Sequence, residues 1–491
     1  MIELARIAGP VGLGGLAVLI GARERANRIA GLGFATLGTI LLIAALAPHK
    51  PAELLGAGLG GLAVGGGLAW LLGREPWLVA YGTLAFVPVR LGLLGHQLLV
   101  PLYAVAVGAA MRLGWELVRG DGRSLELGVA SKPLAWFVAW VGLSLAWTQD
   151  VHEGAIEALA FYVPFAVLAL AIARLPRSST RLKILLGELA AMAVVFAVIG
   201  LYQYDTRNVF QNPKVITSNA YAAFFRVNSV FWDPSIYGRF LVVALIPAVV
   251  LIVRGRSLRW AWVATAFVVV AWLGLLVSFS QSSFGALLVG VVGIAIVAWR
   301  WRALLAVVVA AAVLGGLVVA QPTVRRVLVH HTRHGLNSAT SGRASLVYQG
   351  IRIAEAHPAT GVGVGGFKHA YAKRLHLKGA RLKTAASHDT PVTVAAENGV
   401  IGLALFAWAC LGFFVQAFRR VDRSFVGNAA LAVGLMLAAV LFHSLFYADF
   451  FEDPTTWMLF GLVGLTARRR SAPVAEEPPP PAVETREPVT V

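Results

Sequence analysis

The sequence predicts an all-α protein that crosses a membrane many times, and three observations support this. The chain has 491 residues, of which 58% are hydrophobic and 13% are charged, whereas soluble domains carry about 25% charged residues. The apolar residues form continuous blocks such as Leu241–Val253 and Ala303–Ala320, and a helix that spans a bilayer needs roughly 20 mostly apolar residues. Because the blocks are continuous rather than alternating, a β-barrel is not expected. We therefore predict a polytopic bundle of about 12–15 transmembrane helices.

The blocks give the approximate positions of the spans. These are 7–22, 29–47, 52–73, 77–95, 97–118, 132–147, 155–173, 183–203, 229–253, 260–279, 284–299, 303–320, 393–418, 426–447 and 455–467. The pair 77–95 and 97–118 contains Arg90, His96 and Arg112, so one member of the pair is expected to be re-entrant or to lie on the membrane surface. No cleavable signal peptide is expected, because charged residues and no small-residue cleavage site follow the first block. Cys410, the one cysteine, is expected to be a packing residue.

The short loops predict the orientation of the bundle. Basic loops occur at 23–28, 174–183, 254–259, 300–302, 419–423 and 468–470, whereas the turns at 149–154, 280–283 and 449–454 are acidic or uncharged. With these spans all the basic loops fall on one side, which the positive-inside rule makes cytoplasmic. This explains most of the net charge of +18 without nucleic-acid binding. The tail from Ser471 contains Pro478–Pro481 and four glutamates, and we expect it to be disordered and cytoplasmic.

These features divide the chain into five parts. We predict N-terminal membrane helices of unclear role (1–120), core membrane helices (130–320), a basic histidine-rich extracytoplasmic loop (321–392), C-terminal membrane helices (393–467) and the disordered tail (471–491). Residues 321–391 contain eleven lysines and arginines, two carboxylates and seven of the eleven histidines. Long loops are largely exempt from the positive-inside rule, so the predicted topology holds, but the charge of this loop requires a functional explanation.

The loop contains three clusters of polar residues, of which the first includes His330, His331, Arg333 and His334. On a helix, His330 and His334 could share a metal ion, but no HExxH motif and no nearby carboxylate accompany them. We therefore predict no metal site and expect a solvated basic surface or a surface that faces an anion, with Arg333 as a candidate for binding substrate.

The second cluster, Ser341-Gly342-Arg343, leads into an amphipathic stretch and then into the glycine-rich segment His357–Phe367. A dinucleotide site is not expected, because no strand–turn–helix unit surrounds these glycines. Two interpretations remain open for them. The segment is either a flexible turn after a loop helix or a backbone that comes close to a ligand, where only glycine fits.

The third cluster, Ser387–Pro391, lies directly before a predicted span that carries Glu397. It places His388 at the membrane surface, with Asp389 and Glu397 nearby in the sequence. Histidine is the usual general base near neutral pH. Taken alone, a histidine in the position of His388 is more often a structural or surface residue than a catalyst.

A second extracytoplasmic segment, 204–228, leads into the mid-chain span. Arg226 and Arg239 flank Asp233, which could pair with either of them. A membrane arginine is costly and is usually paired or functional, and the alternative for Arg226 is extension of the side chain to the interface. Guanidinium groups match phosphate oxygens, so we infer an anionic, phosphate-bearing, lipid-linked substrate that is approached from outside the cytoplasm.

Three motifs resemble the O-antigen ligase and O-antigen polymerase superfamily of bacterial membrane glycosyltransferases. They are RVNSVFWDPSIYGRF, SGRASLVYQGIRIAEAHPATGVGVGGF and SHDTPVTVAAENGVIGLALF, and the resemblance covers roughly residues 130 to 467. It implies a lipid-dependent, GT-C-like helical architecture that transfers a glycan from undecaprenyl diphosphate to an acceptor hydroxyl without ATP or a metal. The functional arginines of the family fall on Arg226 and Arg343, and its histidine falls on His388. Asp233-Pro234 stands where many relatives have Asn-Pro, and the motifs do not separate ligases from polymerases.

The hypothesis is therefore an inverting, metal-independent ligase in the bacterial inner membrane that uses no cofactor. Arg226 and Arg343 would hold the donor diphosphate, and His388 would orient or deprotonate the acceptor hydroxyl. Asp233, Arg239, Asp389, Glu397 and Arg333 are the further candidates for binding substrate. The expected partners are the lipid-linked donor, a lipid or glycan acceptor and the membrane, with no nucleic acid.

One alternative is a polymerase with the same donor chemistry. Another is a transporter of a small anion or a lipid-linked intermediate, for which no broken helix or inverted repeat is evident in the sequence.

Overall fold

The computed structural model describes residues 1–46, 51–93, 96–120, 125–210, 212–221, 225–300, 302, 305, 343–377, 387–419 and 421–467. Within these residues the chain is helical apart from one antiparallel hairpin, in which Leu91 pairs with Leu98. Nine of the helices in this part of the chain are long and apolar enough to cross a membrane. The prediction of an all-α polytopic membrane protein is confirmed.

The regular elements follow in chain order. The first half contains α1 (Ile2–Gly21), α2 (Arg25–Leu46), α3 (Pro51–Arg74), α4 (Leu78–Phe86), β1 (Leu91–Leu93), β2 (His96–Leu98), α5 (Val100–Val118), α6 (Ser131–Ser144), α7 (Val151–Glu157), α8 (Val163–Ala173) and α9 (Ser179–Thr206). The second half contains α10 (Pro213–Tyr221), α11 (Pro234–Arg254), α12 (Leu258–Ser278), α13 (Gln281–Trp299), α14 (Arg343–Ala356), α15 (Phe367–Arg374), α16 (Thr390–Phe418), α17 (Phe425–His443) and α18 (Pro454–Ala467). A 3₁₀ turn (Gly128–Ala130) precedes α6, and a π-helical segment (Ala158–Tyr162) joins α7 to α8.

Two predicted spans differ from the observed helices. The span at 77–95 is wrong, because α4 ends at Phe86 and the hairpin follows it. Pro88 lacks the backbone N–H that a continuing helix requires. The nine residues of α4 are too few to span a bilayer, and the placement of this member as re-entrant or on the membrane surface stays a prediction. The mid-chain span begins at Pro234 rather than at 229, because Asp233 caps it. The predicted span at 303–320 and the predicted tail lie outside the described residues.

The membrane helices share one hydrophobic core. A single cluster of buried side chains extends from Ala5 in α1 to Leu465 in α18, and it includes a stacked pair of rings, Phe413 and Phe460, with centroids 3.8 Å apart. Helices α1 and α2 approach so closely that a Cβ on Gly38 would lie 2.3 Å from the Cα of Gly12, as small residues permit in membrane bundles. The N-terminal helices therefore pack directly on the core, while the boundaries of the five predicted parts stay predictions.

Buried ion pairs connect the loops at one end of the bundle, here called the basic end. Glu126 accepts hydrogen bonds from Arg28 at 2.6 Å and from Arg174 at 2.5 Å, and Arg28 is only 1% exposed. Arg254 donates to the side chain of Asn428 at 2.7 Å. Some basic residues that the sequence assigned to orientation alone therefore also join helices. The opposite end, here called the site end, contains the loops that begin α7, α11, α13, α16 and α18.

Candidate active site

Four chain segments come together at the site end. They are the stretch 225–233 before α11, the first turn of α14, residues 387–389 before α16, and the connector 444–453 between α17 and α18. The charge of Arg343 acts on both Arg226 and His388, and the carboxylate of Asp233 acts on the same two groups. The structure therefore brings together four of the residues that the sequence singled out, from segments far apart in the chain.

Arg226 lies in an extended segment that α10 holds in place. The side chain of Asn219 donates to the carbonyl of Arg226 at 2.8 Å and accepts from its N–H at 3.0 Å. The guanidinium Nε of Arg226 donates to the Ser278 carbonyl at the end of α12, at 3.3 Å. Burial lowers the pKa of Arg226, the charge of Arg343 lowers it further, and Asp233 opposes both effects. A half-buried guanidinium bonded to the protein in this way does not fit the alternative of extension to the interface.

His388 lies on a tight turn before α16. Its φ of +58° is in the left-handed region, where a residue with a side chain is uncommon. The turn is held by a hydrogen bond from the Asp389 N–H to the Ser387 hydroxyl, at 3.1 Å. Burial lowers the pKa of the His388 imidazole, Arg343 lowers it further, and Asp233 raises it. The imidazole is therefore largely neutral near pH 7 and able to accept a proton.

Asp233 and Asp389 both cap helices that lead away from the site. Asp233 accepts from the Ser235 N–H at 2.7 Å, and Asp389 accepts from the Val392 N–H at 2.8 Å. In each case a proline follows at the first turn, where its missing N–H is not needed. One oxygen of each carboxylate is thereby engaged, so the first role of these residues in the structure is to fix where the Arg226 and His388 segments meet their helices.

Arg239 does not face Asp233. Its guanidinium lies 2.5 Å from an oxygen of Asp449 and 2.8 Å from an oxygen of Asp453, in the connector 444–453. Among the described residues, Asp233 therefore forms no ion pair with Arg239, and its charge acts on Arg226. Arg239 is 3% exposed, so it joins α11 to the connector instead of presenting a free cation.

The sequence analysis missed two residues here, Tyr447 in the connector and His443 at the end of α17. The ring of Tyr447 lies 6.3 Å from that of His388, and the ring of His443 lies 6.0 Å from that of Tyr447. The sequence marked this turn only as acidic or neutral. Both residues fall in the span predicted at 426–447, and the signal that could have found Tyr447 is its position two residues before Asp449 in the acidic turn 449–454.

The glycine-rich segment that follows α14 packs its backbone against a membrane helix. Residues 361–367 are buried, and the segment inserts into a break in α16 at Gly399, where φ is +66°. The Val362 and Gly363 N–H groups donate to the Ala396 and Glu397 carbonyls at 3.0 and 2.8 Å, and the Val400 N–H donates to the Pro358 carbonyl at 2.8 Å. The glycines therefore permit close backbone packing against a membrane helix.

Glu397 lies on α16, where it contacts the docked glycine-rich segment and not Arg226 or Arg343. Its side chain accepts from the Phe367 N–H at 3.1 Å, and its charged neighbours include Glu153 and Lys368, which form an ion pair at 2.5 Å. Nearby, burial raises the pKa of Glu452 to about 8, and Asp449 contributes to the increase. The acidic side chains of Glu153, Glu397 and Glu452 therefore lie at the same end of the bundle as the basic residues Arg226 and Arg343. The structure does not place Glu397 with Arg226 and His388.

Some predicted residues cannot be placed. Arg333 and the histidines at 330, 331 and 334 lie outside the described residues. In the part of the chain that the structure describes, no group of three or more histidine, cysteine or carboxylate side chains could hold a metal ion. The groups that the structure does assemble suit one kind of chemistry. Two guanidinium groups can hold an anion, and a neutral imidazole beside them can take a proton from a hydroxyl.

Residues 266–407 match the family model described as O-antigen ligase. The matched region runs from within α12 to within α16 and contains Arg343, His388 and Glu397, whereas Arg226 lies before it. No curated protein matches the chain.

Proposed function

We propose that this multi-pass membrane protein, which belongs to the O-antigen ligase family, transfers a glycan from undecaprenyl diphosphate to an acceptor hydroxyl at the site end of the bundle. The family match indicates a membrane glycosyltransferase of the ligase or polymerase type. We propose in addition the identity of the donor, the side of the membrane on which transfer occurs and the role of each residue.

The observation that carries the proposal is the proximity of Arg226 and Arg343. Each guanidinium is positively charged, and they are close enough for Arg343 to lower the pKa of Arg226. The guanidinium of Arg343 makes no hydrogen bond or ion pair with any described residue, and Asp233 is a carboxylate whose charge acts on Arg226. Two like charges in a partly buried site repel each other. A diphosphate offsets this repulsion and matches the planar donors of both side chains.

The proposed reaction is a single displacement. The acceptor oxygen attacks the anomeric carbon of the donor sugar while the bond from that carbon to the diphosphate oxygen breaks. His388 takes the proton of the acceptor hydroxyl. Arg226 and Arg343 stabilise the negative charge that develops on the departing lipid diphosphate, and attack opposite the leaving group inverts the configuration. Asp233 and Asp389 keep the two segments in register through their helix caps.

The distribution of charge supports an extracytoplasmic site in the bacterial inner membrane. The short arginine-rich loops meet at the basic end, where Arg174, Arg254 and their partners lie. The positive-inside rule makes that end cytoplasmic. The site end then faces away from the cytoplasm, and a donor carried by a membrane lipid would reach it from the outer leaflet.

The break in α16 does not favour the transporter alternative. No broken helix is evident in the sequence, but α16 is interrupted at Gly399. In transporters, freed backbone groups at such breaks coordinate the solute or ion. Here the Ala396, Glu397 and Asn398 carbonyls accept from Val362, Gly363 and Trp140 respectively. Because other parts of the protein bond these carbonyls, the break serves to dock the glycine-rich segment.

Reconstitution with a lipid diphosphate-linked glycan and a candidate acceptor tests the proposal. The purified protein in proteoliposomes should release the lipid diphosphate and lengthen the acceptor by one donor glycan. A ladder of products would identify the polymerase alternative. Movement of the intact donor between leaflets without any new glycosidic bond would contradict the proposal and support transport.

A further inference from the structure

The orientation of His388 requires an explanation that the proposed mechanism does not contain. A general base is normally held by a hydrogen bond from a third group to its second ring nitrogen. Among the described residues, none makes a hydrogen bond to the His388 ring.

Tyr447 is the aromatic ring that contacts this imidazole. The two ring centroids lie 6.3 Å apart with an angle of 66° between their planes, which is an edge-on arrangement within the usual range for ring pairs. His443, 0% exposed, lies 6.0 Å from the same tyrosine ring. His443 therefore contributes ring packing to Tyr447.

Tyr447 is also fixed from both ends of its connector. The Thr390 N–H, two residues after His388, donates to the Ser444 carbonyl at 2.9 Å. The Asp449 N–H donates to the Tyr447 carbonyl at 2.9 Å, and the Asp449 carboxylate is bonded to Arg239. The connector thus links the His388 turn to α11. A side chain on a segment held at both ends can keep a neighbouring group within a narrow range of positions.

The Tyr447 hydroxyl stays neutral under working conditions. Burial raises the pKa of the phenol well above its ordinary value, and the carboxylates of Asp233 and Asp449 raise it further. A neutral side chain exerts no charge on His388. The contribution of Tyr447 to the imidazole is therefore the shape and contact of its ring.

We propose that Tyr447 is the positioning residue of the His388 base, and that its ring restricts the imidazole to the rotamer that faces the acceptor hydroxyl. This inference rests on the role of His388 in the proposed function. It makes Tyr447 a contact of the active-site histidine, and it gives the Arg239 ion pairs a purpose, which is to hold the connector where Tyr447 meets His388.

Three variants distinguish the effect of the Tyr447 ring on transfer from the effect of its hydroxyl and from nonspecific damage to the protein. Tyr447→Phe keeps the ring and should transfer within about threefold of the wild type. Tyr447→Leu removes the ring and should lower kcat about 10- to 100-fold with little change in KM, because misorientation of a reacting group has effects of this order. Phe446→Leu is the matched control, because the neighbouring ring is exposed and contacts Phe442 at 5.5 Å. It should behave as the wild type.

The pH profile provides a readout that a merely structural role would not move. The groups that face His388 are Arg343, Asp233, the adjacent Asp389 and Tyr447 itself. Since burial is the largest cause that lowers the pKa of His388, removal of the covering ring in Tyr447→Leu should move the ionisation upward toward the ordinary histidine value. Tyr447→Phe should leave it in place.

Cysteine labelling tests the same contact without reference to activity. In a Cys410→Ala background, a thiol in His388→Cys should react with a water-soluble maleimide faster when Tyr447 is leucine than when it is phenylalanine. Equal labelling rates, or equal loss of transfer in Tyr447→Phe and Tyr447→Leu, would overturn the inference. Full transfer by His388→Ala would instead contradict the proposed base, while labelling would still report whether Tyr447 covers the position.

Discussion

Arg239 on α11 and Asp449 in the connector 444–453 form a bidentate ion pair, with nitrogen–oxygen distances of 2.5 and 2.8 Å. Asp453 lies 2.8 Å from the same guanidinium. Because Arg239 is occupied by two carboxylates, its evident role is to anchor the connector to the bundle. The donor diphosphate is then left to Arg226 and Arg343.

Arg239→Ala should destabilise the protein strongly. It leaves Asp449 and Asp453 buried without their cation, and removal of one partner from a buried ion pair costs about 3–5 kcal/mol. Arg352→Ala is the control, since Arg352 is 46% exposed in its ion pair with Glu355 and exposed pairs contribute at most about 1 kcal/mol. The measurement is thermal unfolding in lipid nanodiscs. Equal shifts in Tm for the two variants would contradict an anchoring role.

Gly361→Ala should undock the glycine-rich segment from α16. A Cβ at Gly361 would lie 2.2 Å from the carbonyl carbon of Glu397, and φ there is +67°. Gly33→Ala is the control, because nothing lies within 4 Å of that position in α2. We expect faster proteolysis near residue 361 and reduced transfer for Gly361→Ala only. Wild-type protection in this variant would show that the segment adjusts without undocking.

The pH dependence of kcat/KM should contain the ionisation of His388. Because burial and Arg343 lower its pKa, the neutral form persists below the ordinary value of about 6.5, and activity should fall only as the pH drops through this lowered pKa. Arg343→Gln removes a positive charge that repels the protonated imidazole, so it should move the acidic limb of the pH profile to higher pH. Asp233→Asn removes an attractive one and should move it to lower pH. His369→Ala, an exposed histidine on α15, should leave the profile unchanged, and shifts opposite to these signs would reject the assignment.

Transfer should survive strong chelation. The long loop carries eleven basic side chains and two carboxylates, a balance that repels cations and favours anions. Activity measured with and without a chelator should agree within error, and alanine at positions 330, 331 and 334 should cause only modest loss. Transfer that is abolished by the chelator and restored by a divalent metal would reject the metal-independent reaction.

Much of the fold follows from local patterns in the sequence. The apolar blocks predict the membrane helices, and the Asp-Pro and Asp-Thr-Pro sequences at Asp233 and Asp389 mark the starts of α11 and α16 as caps. The family motifs pointed to Arg226, Arg343 and His388, which the structure then brings together. These signals depend on neighbours in the chain and on composition, so a single sequence contains them.

The features that the sequence did not reveal all depend on contacts between distant segments. The break at Gly399 exists because the segment around Gly361 supplies the hydrogen bonds that the helix gives up, and neither stretch alone indicates this. The partner of Arg239 lies 210 residues away, so Asp233 was the nearer candidate by sequence. Tyr447 was missed because its importance depends on His388, which reaches it only in the folded bundle.

The most direct test of the central claim measures glycan transfer by reconstituted Arg226→Ala, Arg343→Ala and Arg343→Lys, with Arg352→Ala as the matched control on α14. We expect each of the first three variants to lower the transfer rate about 100-fold or more. Loss of one hydrogen-bond donor from a site that stabilises developing negative charge has an effect of this size. Lysine should fail at position 343 because it keeps the charge but not the planar fork. All variants should insert normally into the membrane, and the control should transfer at the wild-type rate. Near-wild-type transfer by both Arg226→Ala and Arg343→Ala would contradict the account.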